Sequence, residues 1–261
     1  MLLCADIGNS SIGIGVYECS GNAPGKSRMT SKIAAVRSKS ADEYAVTLDG
    51  ILRLHGISPT EIGGCMVSSV VPPLTAAVSS AVKTLTGVTP MEVGPGIRTG
   101  LNIRVDSQTQ LGADLVANAV AASALRKPPF LIVDIGSATT FTVVDASGVL
   151  EGVIICPGVR MSLDALASYT AALPDVPIAP PKRTVAKNSV DAMNAGVLLG
   201  HAFMIDGFID RIGREPGCEG LRVIVTGGLA DTVLPYCSHP VERQPELTLD
   251  GLALLYFKNR K

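Results

Sequence analysis

Tryptophan is absent from the 261 residues and aromatics make up only 4%, which removes the stacking platforms on which single-stranded nucleic-acid binders rely. Nor is there an excess of positive charge. Lys and Arg number 22 against 23 Asp and Glu, a net charge of −1, so the electrostatic footprint of a nucleic-acid partner is missing. The six cysteines (Cys4, Cys19, Cys65, Cys156, Cys218, Cys237) form no CxxC pair, and several sit in apolar runs such as Val153 to Cys156. They read as reduced, mostly buried thiols in a reducing compartment. His55, His201 and His239 are too far apart to suggest a local metal cluster. No uninterrupted apolar stretch approaches the roughly 18 residues of a membrane helix, and no basic-then-apolar leader precedes the strand-like run Met1 to Ala5. The expectation is a cytoplasmic protein without nucleic-acid or membrane partners.

What the chain does have is an apolar interior. With 47% hydrophobic and 17% charged residues it is neither disordered nor collagen-like, and its length suits one large domain or two of roughly 130 residues. A short pattern that occurs twice favours two. Leu2-Leu3-Cys4-Ala5-Asp6-Ile7-Gly8-Asn9-Ser10-Ser11 is echoed by Phe130-Leu131-Ile132-Val133-Asp134-Ile135-Gly136-Ser137-Ala138-Thr139, 128 positions later. In each copy an apolar strand ends in Asp-Ile-Gly, followed by small polar residues and a second β-rich run, Ile12 to Tyr17 or Thr140 to Asp145. That is a hairpin whose tip carries donors and one carboxylate. The expected fold is therefore α/β with two related lobes, 1–114 and 115–261.

Periodicity and punctuation predict helices over Ala41–His55, Leu74–Leu85, Asp114–Leu125, Arg160–Ala171, Ser189–Gly213 and Leu249–Phe257. Further strands are predicted over Gly64–Val70, Met91–Val93, Gly152–Cys156 and Arg222–Thr226. Met193 and Met204 read as core filling, the Pro-rich stretch Leu173 to Pro181 as an exposed loop, and the basic end Lys258 to Lys261 as a solvated helix end.

Two Asp-Ile-Gly tips have a physical use if both lobes face one ligand. Backbone N–H groups and the hydroxyls of Ser10, Ser11, Thr139 and Thr140 can cup phosphate oxygens beside Gly8 and Asn9, while Asp6 and Asp134 can hold Mg²⁺ directly or through water. The plainer reading is two β-turns capped by Asp side chains, which does not require the polar residues that follow. Val223 to Leu229 is an apolar strand breaking into Gly227-Gly228, where glycine lets the backbone approach a ribose or adenine edge. A strand-to-helix turn would also use glycine there.

Asp6-Ile7-Gly8-Asn9-Ser10, Thr99-Gly100-Leu101, Gly112-Ala113-Asp114, Asp134-Ile135-Gly136-Ser137-Ala138-Thr139-Thr140, Pro157-Gly158 and Thr226-Gly227-Gly228-Leu229-Ala230 resemble, in this order, the motif series of type III pantothenate kinases. The resemblance spans nearly the whole chain. It implies the actin/hexokinase/Hsp70-like (ribonuclease H-like) fold with ATP in the interlobe cleft, and ATP-dependent phosphorylation of pantothenate, the first step of coenzyme A synthesis. It also implies Mg²⁺, a monovalent cation (K⁺ or ammonium) and a homodimer. By the same resemblance Asp114 is the catalytic base. At the start of its helix its carboxylate is expected to stay ionised, a weak base that phosphoryl transfer tolerates. Gly112 and Ala113 adjoin the substrate, Ser189 stands where a Thr hydroxyl contacts pantothenate, and Thr99-Gly100 borders the pocket, with Arg98 a surface charge. Asn188-Ser189 also suits a helix N-cap.

Two positions depart from the family pattern. Gly-x-Asp is usually followed by Arg, whose planar fork suits a carboxylate, but Leu115 stands there. The usual Tyr-Asp-Asn-Pro reads Val105-Asp106-Ser107-Gln108, and Arg104 next to it is the expected source of the missing positive charge. These departures leave open a relative acting on another small alcohol, or a non-catalytic ATP-binding transcriptional accessory factor.

Overall fold

The computed structural model describes residues 1–107 and 111–260, so Gln108 lies outside the described residues. In chain order the elements are β1 (Leu2–Ile7), β2 (Ser11–Ser20), β3 (Ala23–Ala34), α1 (Ala41–Leu54), β4 (Gly64–Ser69), α2 (Pro72–Thr86), β5 (Met91–Glu92), β6 (Asn102–Ile103) and α3 (Ala113–Leu125). Then come β7 (Phe130–Ile135), β8 (Ala138–Val144), β9 (Val149–Pro157), α4 (Val159–Tyr169), α5 (Ser189–Ile212), β10 (Arg222–Thr226), α6 (Ala230–Val233), β11 (Glu242–Arg243) and α7 (Leu247–Asn259).

The first unit comprises Met1–Leu101, Asp106–Leu125 and Glu246–Lys261. Its sheet has the order β3-β2-β1-β4-β5, with β1 antiparallel to β2 and parallel to β4. Strand alternation sends Leu3, Ala5 and Ile7 to one face, where they pack with Tyr44, Leu48 and Leu52 of α1 and Leu74 and Val78 of α2. Leu2 and Cys4 go to the other face, with Ala117 and Val120 of α3 and Leu249 and Leu252 of α7. Helix α1 starts on a reciprocal cap in which the Ser40 hydroxyl accepts from the Glu43 amide and the Glu43 carboxylate accepts from the Ser40 amide. Its buried Tyr44, Leu48 and Leu52 recur every four residues.

The second unit comprises Asn102–Val105 and Arg126–Pro245. Its sheet runs β11-β10-β7-β8-β9-β6. Apart from β6, this repeats the strand order of the first unit, and β7 has an antiparallel partner in β8 and a parallel one in β10. The core on one face joins Leu131, Val133, Ile135 and Phe141 to Val159 and Leu163 of α4 and Leu198, Ala202, Ile205 and Ile209 of α5. Helix α5 is the only one among the described residues long and apolar enough, by length and composition, to cross a membrane. Its Met193, Leu198, Ala202 and Ile205 belong to this core, which accounts for its hydropathy. Met204 packs beside them.

The expected single division between 114 and 115 is corrected. Helix α3 lies whole in the first unit, and so does α7, the last helix of the chain. The cause is packing: a Cβ on Gly251 of α7 would collide with the Ala117 backbone of α3, so the two helices meet at a position where only glycine fits. The terminus is not merely solvated either. Lys258 Nζ donates to Thr99 O at 2.8 Å, and Arg260 reaches Gly21 O and Asn22 Oδ1. All six cysteines are free; Cys4, Cys65 and Cys218 are buried, and burial pushes the Cys65 thiol up to about 12.

Candidate functional site

In the first unit the tip Gly8-Asn9-Ser10-Ser11 follows from the register Ile7↔Ile12, closed by the Gly8 amide donating to Ser11 O at 3.0 Å. A Cβ on Gly8 would approach Ser11 O to 3.2 Å. Asn9 and Ser10 are exposed; the Arg37 guanidinium donates to Asn9 Oδ1 at 3.5 Å, and the Ala35 amide to Ser10 O. Asp6, on the Leu2 and Cys4 face of β1, accepts the Ser68 hydroxyl at 2.5 Å on Oδ1. Ser68 is fully buried at the paired position of β4 and orients the Asp6 carboxylate. It escaped sequence reading; the polar Ser68-Ser69 pair ending an apolar strand was its only signal.

Helix α3 covers that same face, and Asp114 lies in its first turn, half-buried. The Leu115 amide donates to Asp114 Oδ1 at 2.9 Å and lowers its pKa, but burial outweighs this and raises it above the ordinary carboxylate value. The expectation that the helix start favours the charged form is corrected in sign: desolvation outweighs the backbone N–H groups, and Asp114 binds its proton more tightly than a solvated carboxylate does. Leu115 is only 5% exposed, an apolar side chain fitted to an apolar place. Beside β4 and β5 opens a cavity of about 400 Å³ lined by Ser69, Thr75, Glu92, Val67 and Val93.

In the second unit three of the sequence motifs meet at one end of the sheet. The tip Gly136-Ser137-Ala138 follows from the register Ile135↔Thr139, one residue shorter than the first tip. Thr226, at the end of β10, pairs with Asp134. Gly227 (φ +96°) lies so close to Ile135 that a Cβ would be 2.5 Å from its backbone N, C and O, and the Leu229 amide donates to Ile135 O at 3.0 Å. Gly158 likewise presses on the tip, where a Cβ would stand 2.7 Å from Gly136 O and nearer still to Ser137 O. Arg243 ties the glycine turn down, with Nη2 to Gly227 O at 3.0 Å and Nε to Asp231 at 2.9 Å.

The two threonines part company. Thr140 is the cross-strand partner of Asp134, shares its face and is half-buried. Thr139 is paired with Ile135 and so faces the α4/α5 core, 0% exposed, its Oγ1 lacking a hydrogen-bond partner. The expected phosphate contact of the Thr139 hydroxyl is corrected by that alternation. A buried hydroxyl without a partner costs about 1–3 kcal/mol, so Thr139→Val is expected to raise Tm and leave the KM for ATP within about twofold. Loss of ATP affinity in that variant would return Thr139 to the phosphate side. Exposed Ser137 stands at the tip, a position that sequence reading quoted in the motif without assigning it a role.

The remaining candidates fall on other elements. Asn188 caps α5, its Oδ1 accepting from the Asp191 amide at 2.8 Å, with Ser189 exposed beside it. Arg104 ion-pairs with Glu151 at 3.1 Å and is largely exposed; Val105 is half-buried. Thr99 and Gly100 are held by α7, where a Cβ on Gly100 (φ +75°) would stand 2.6 Å from Lys258 Nζ.

A model of the type III pantothenate kinase family matches residues 2–211. Proteins named type III pantothenate kinase from Geotalea uraniireducens and Pelobacter propionicus are 39% and 40% identical over 263 and 260 residues, covering all of this chain and all of each relative. That of Listeria monocytogenes is 36% identical over 262 residues, covering all of this chain and 98% of its own. Among solved structures, a putative 2-dehydro-3-deoxygalactonokinase from Sinorhizobium meliloti has a TM-score of 0.56 at 14% identity, covering 98% of this chain and 95% of that one. The activator of the 2-hydroxyisocaproyl-CoA dehydratase from Clostridium difficile, with bound ADPNP, has a TM-score of 0.55 at 14% identity, covering 98% and 94%. Such distant likeness speaks for the fold alone, the α/β actin/hexokinase/Hsp70-like ATPase fold.

Proposed function

Because the chain belongs to the type III pantothenate kinase family, we propose that it transfers the γ-phosphate of ATP to the primary hydroxyl of pantothenate, opening coenzyme A biosynthesis. The observation that carries this is end-to-end identity of 36–40% with kinases of that name. We assign the chemistry to Asp114, which orients the acceptor hydroxyl and takes its proton; a desolvated carboxylate with a raised pKa is better matched to that task than a solvated one. Gly112, Ala113, Ser189, Val105 and Arg104 are assigned to the pantothenate side. Gly8, Asn9, Ser10, Ser11, Thr140, Gly227 and Gly228 are assigned to ATP.

Asp6 and Asp134 fit Mg²⁺ by their chemistry: hard carboxylate oxygens, that of Asp6 oriented by Ser68. Among the described residues no group of three or more His, Cys, Asp or Glu side chains could hold a metal. Bound to those carboxylates, Mg²⁺ would neutralise phosphate charge. A monovalent cation, K⁺ or ammonium, completes the proposed set. A homodimer is supported by an apolar groove of about 510 Å³ between α4 and α5, lined by Leu166, Tyr169, Met193 and Val197. Tyr169, which lines it, is 90% exposed, and Phe203 of α5 is 62% exposed, apolar side chains that a second subunit would cover. We place the protein in the cytoplasm, with no nucleic-acid or membrane partner.

The test is a coupled assay of ADP release with pantothenate and related hydroxy acids, with and without Mg²⁺ and K⁺, on a preparation whose mass is read by light scattering. Pantothenate-dependent turnover by a two-subunit species is expected. ATP binding without turnover on any acceptor would overturn the kinase reading, and a monomer the dimer.

A further inference from the structure

His201 projects from α5 into the second unit and is only 7% exposed. Both its ring nitrogens end on backbone carbonyls: Nδ1 lies 2.8 Å from Val197 O, and Nε2 lies 3.0 Å from Pro157 O. A carbonyl oxygen only accepts, so a ring with a single N–H bonds one of the two at a time, and the Nε2–H tautomer gives the bond to Pro157. The Val197 carbonyl lies one turn back on the same helix. The Pro157 contact reaches across to the last residue of β9, and the next residue is Gly158, whose backbone presses on the tip Gly136-Ser137. A chain of contacts thus runs from α5 through one imidazole to the turn that follows Asp134.

We propose that His201 is a positioning residue for ATP: it anchors Pro157-Gly158 against the Gly136-Ser137 turn and so holds that turn in its phosphate-binding shape. The inference rests on the reading that this turn faces ATP. Cores are close-packed and transmit small shifts; a tip that loses its backing loses the alignment of its donors toward a phosphate. The contribution therefore falls on nucleotide affinity rather than on the chemical step.

Three variants of the full chain separate this from plain core packing. His201→Gln carries an amide nitrogen at the reach of Nε2 and keeps the donor to Pro157. His201→Asn reaches only as far as Nδ1 and keeps the Val197 contact alone, and His201→Leu keeps neither. The readouts are the KM for ATP, the KM for pantothenate and kcat, together with the thermal shift produced by ATP. His201→Gln is expected within about twofold of the parent throughout. His201→Asn and His201→Leu are expected to raise the KM for ATP about fivefold or more, what one hydrogen bond of about 1 kcal/mol supplies, with kcat and the KM for pantothenate within about twofold. Should the Leu variant fail to fold, the contrast between Gln and Asn decides. Equal behaviour of Gln and Asn, or a parental KM for ATP in Asn, overturns the proposal and leaves the kinase reading standing. A parent chain with no saturable response to ATP overturns both.

Discussion

Asp114→Asn is expected to lower kcat by about 10²- to 10⁴-fold, the usual contribution of a positioned general base, while ATP affinity changes less than about twofold. The amide keeps the size and the acceptor that the Leu115 N–H uses at 2.9 Å, so the local shape persists and only the proton acceptor is lost. The pH dependence has a definite sign. The ionised carboxylate is the base, and burial raises its pKa from 3.8 against the opposing pull of backbone N–H groups. Activity of the parent should therefore rise with pH through a midpoint above 3.8, and the residual activity of the variant should lack that limb. Stability runs the other way. The folded protein holds this proton more tightly than the unfolded chain, so the stability it contributes is present at low pH and is lost as pH climbs from 3.8 through the raised value. Removing the buried charge should leave Tm at neutral pH equal to the parent's or higher. A large loss of ATP binding would move Asp114 to the nucleotide side, and an unchanged kcat would take it out of the reaction.

What the sequence shows well is whatever is buried and regular. The hairpins around Asp6 and Asp134 stand out because an apolar strand, a glycine and a returning strand leave a repeating pattern, and the helices on Tyr44, Leu48 and Leu52 or on Ser189 to Ile212 carry their own caps. Strand β3 was not among the expected elements. It is an edge strand whose 12 residues bury only Met29, so it has no alternation of apolar side chains to betray it; β6 and β11 are two-residue pairings fixed by their neighbours. The return of α7 to the first sheet was equally hidden, because it depends on Gly251 fitting against Ala117, a contact between residues 134 positions apart. In the site, residue types were readable and orientations were not. Thr139 and Thr140 look interchangeable as letters, and only the register Asp134↔Thr140 separates them. The sign of the Asp114 shift was misjudged for a related reason: a helix start is visible in sequence, the desolvation around it is not.

Gly227→Ala is expected to be strongly destabilising. At φ +96° the residue occupies backbone space that L side chains rarely adopt, and its Cβ would lie 2.5 Å from three backbone atoms of Ile135. These atoms belong to β7, a central strand paired on both sides, and cannot yield as the end of a flexible side chain would. Backbone strain of about 1–3 kcal/mol and overpacking of about 1–3 kcal/mol together predict a loss of about 2–6 kcal/mol and a fall in Tm of roughly 5–20 °C. Gly207→Ala is the matched control: nothing lies within 4 Å of its added methyl, and in mid-helix the change should stabilise by about 0.5–1 kcal/mol. Because Ile135 follows Asp134, the displaced β7 end should also carry the proposed metal carboxylate and the Gly136 turn out of place. Surviving folded Gly227→Ala protein should then bind ATP more weakly, whereas Gly207→Ala binds it normally. A Gly227→Ala protein with parental Tm would show that β7 and the β10 turn stand farther apart than this contact allows, and the convergence of the glycine motifs on one strand end would fall with it.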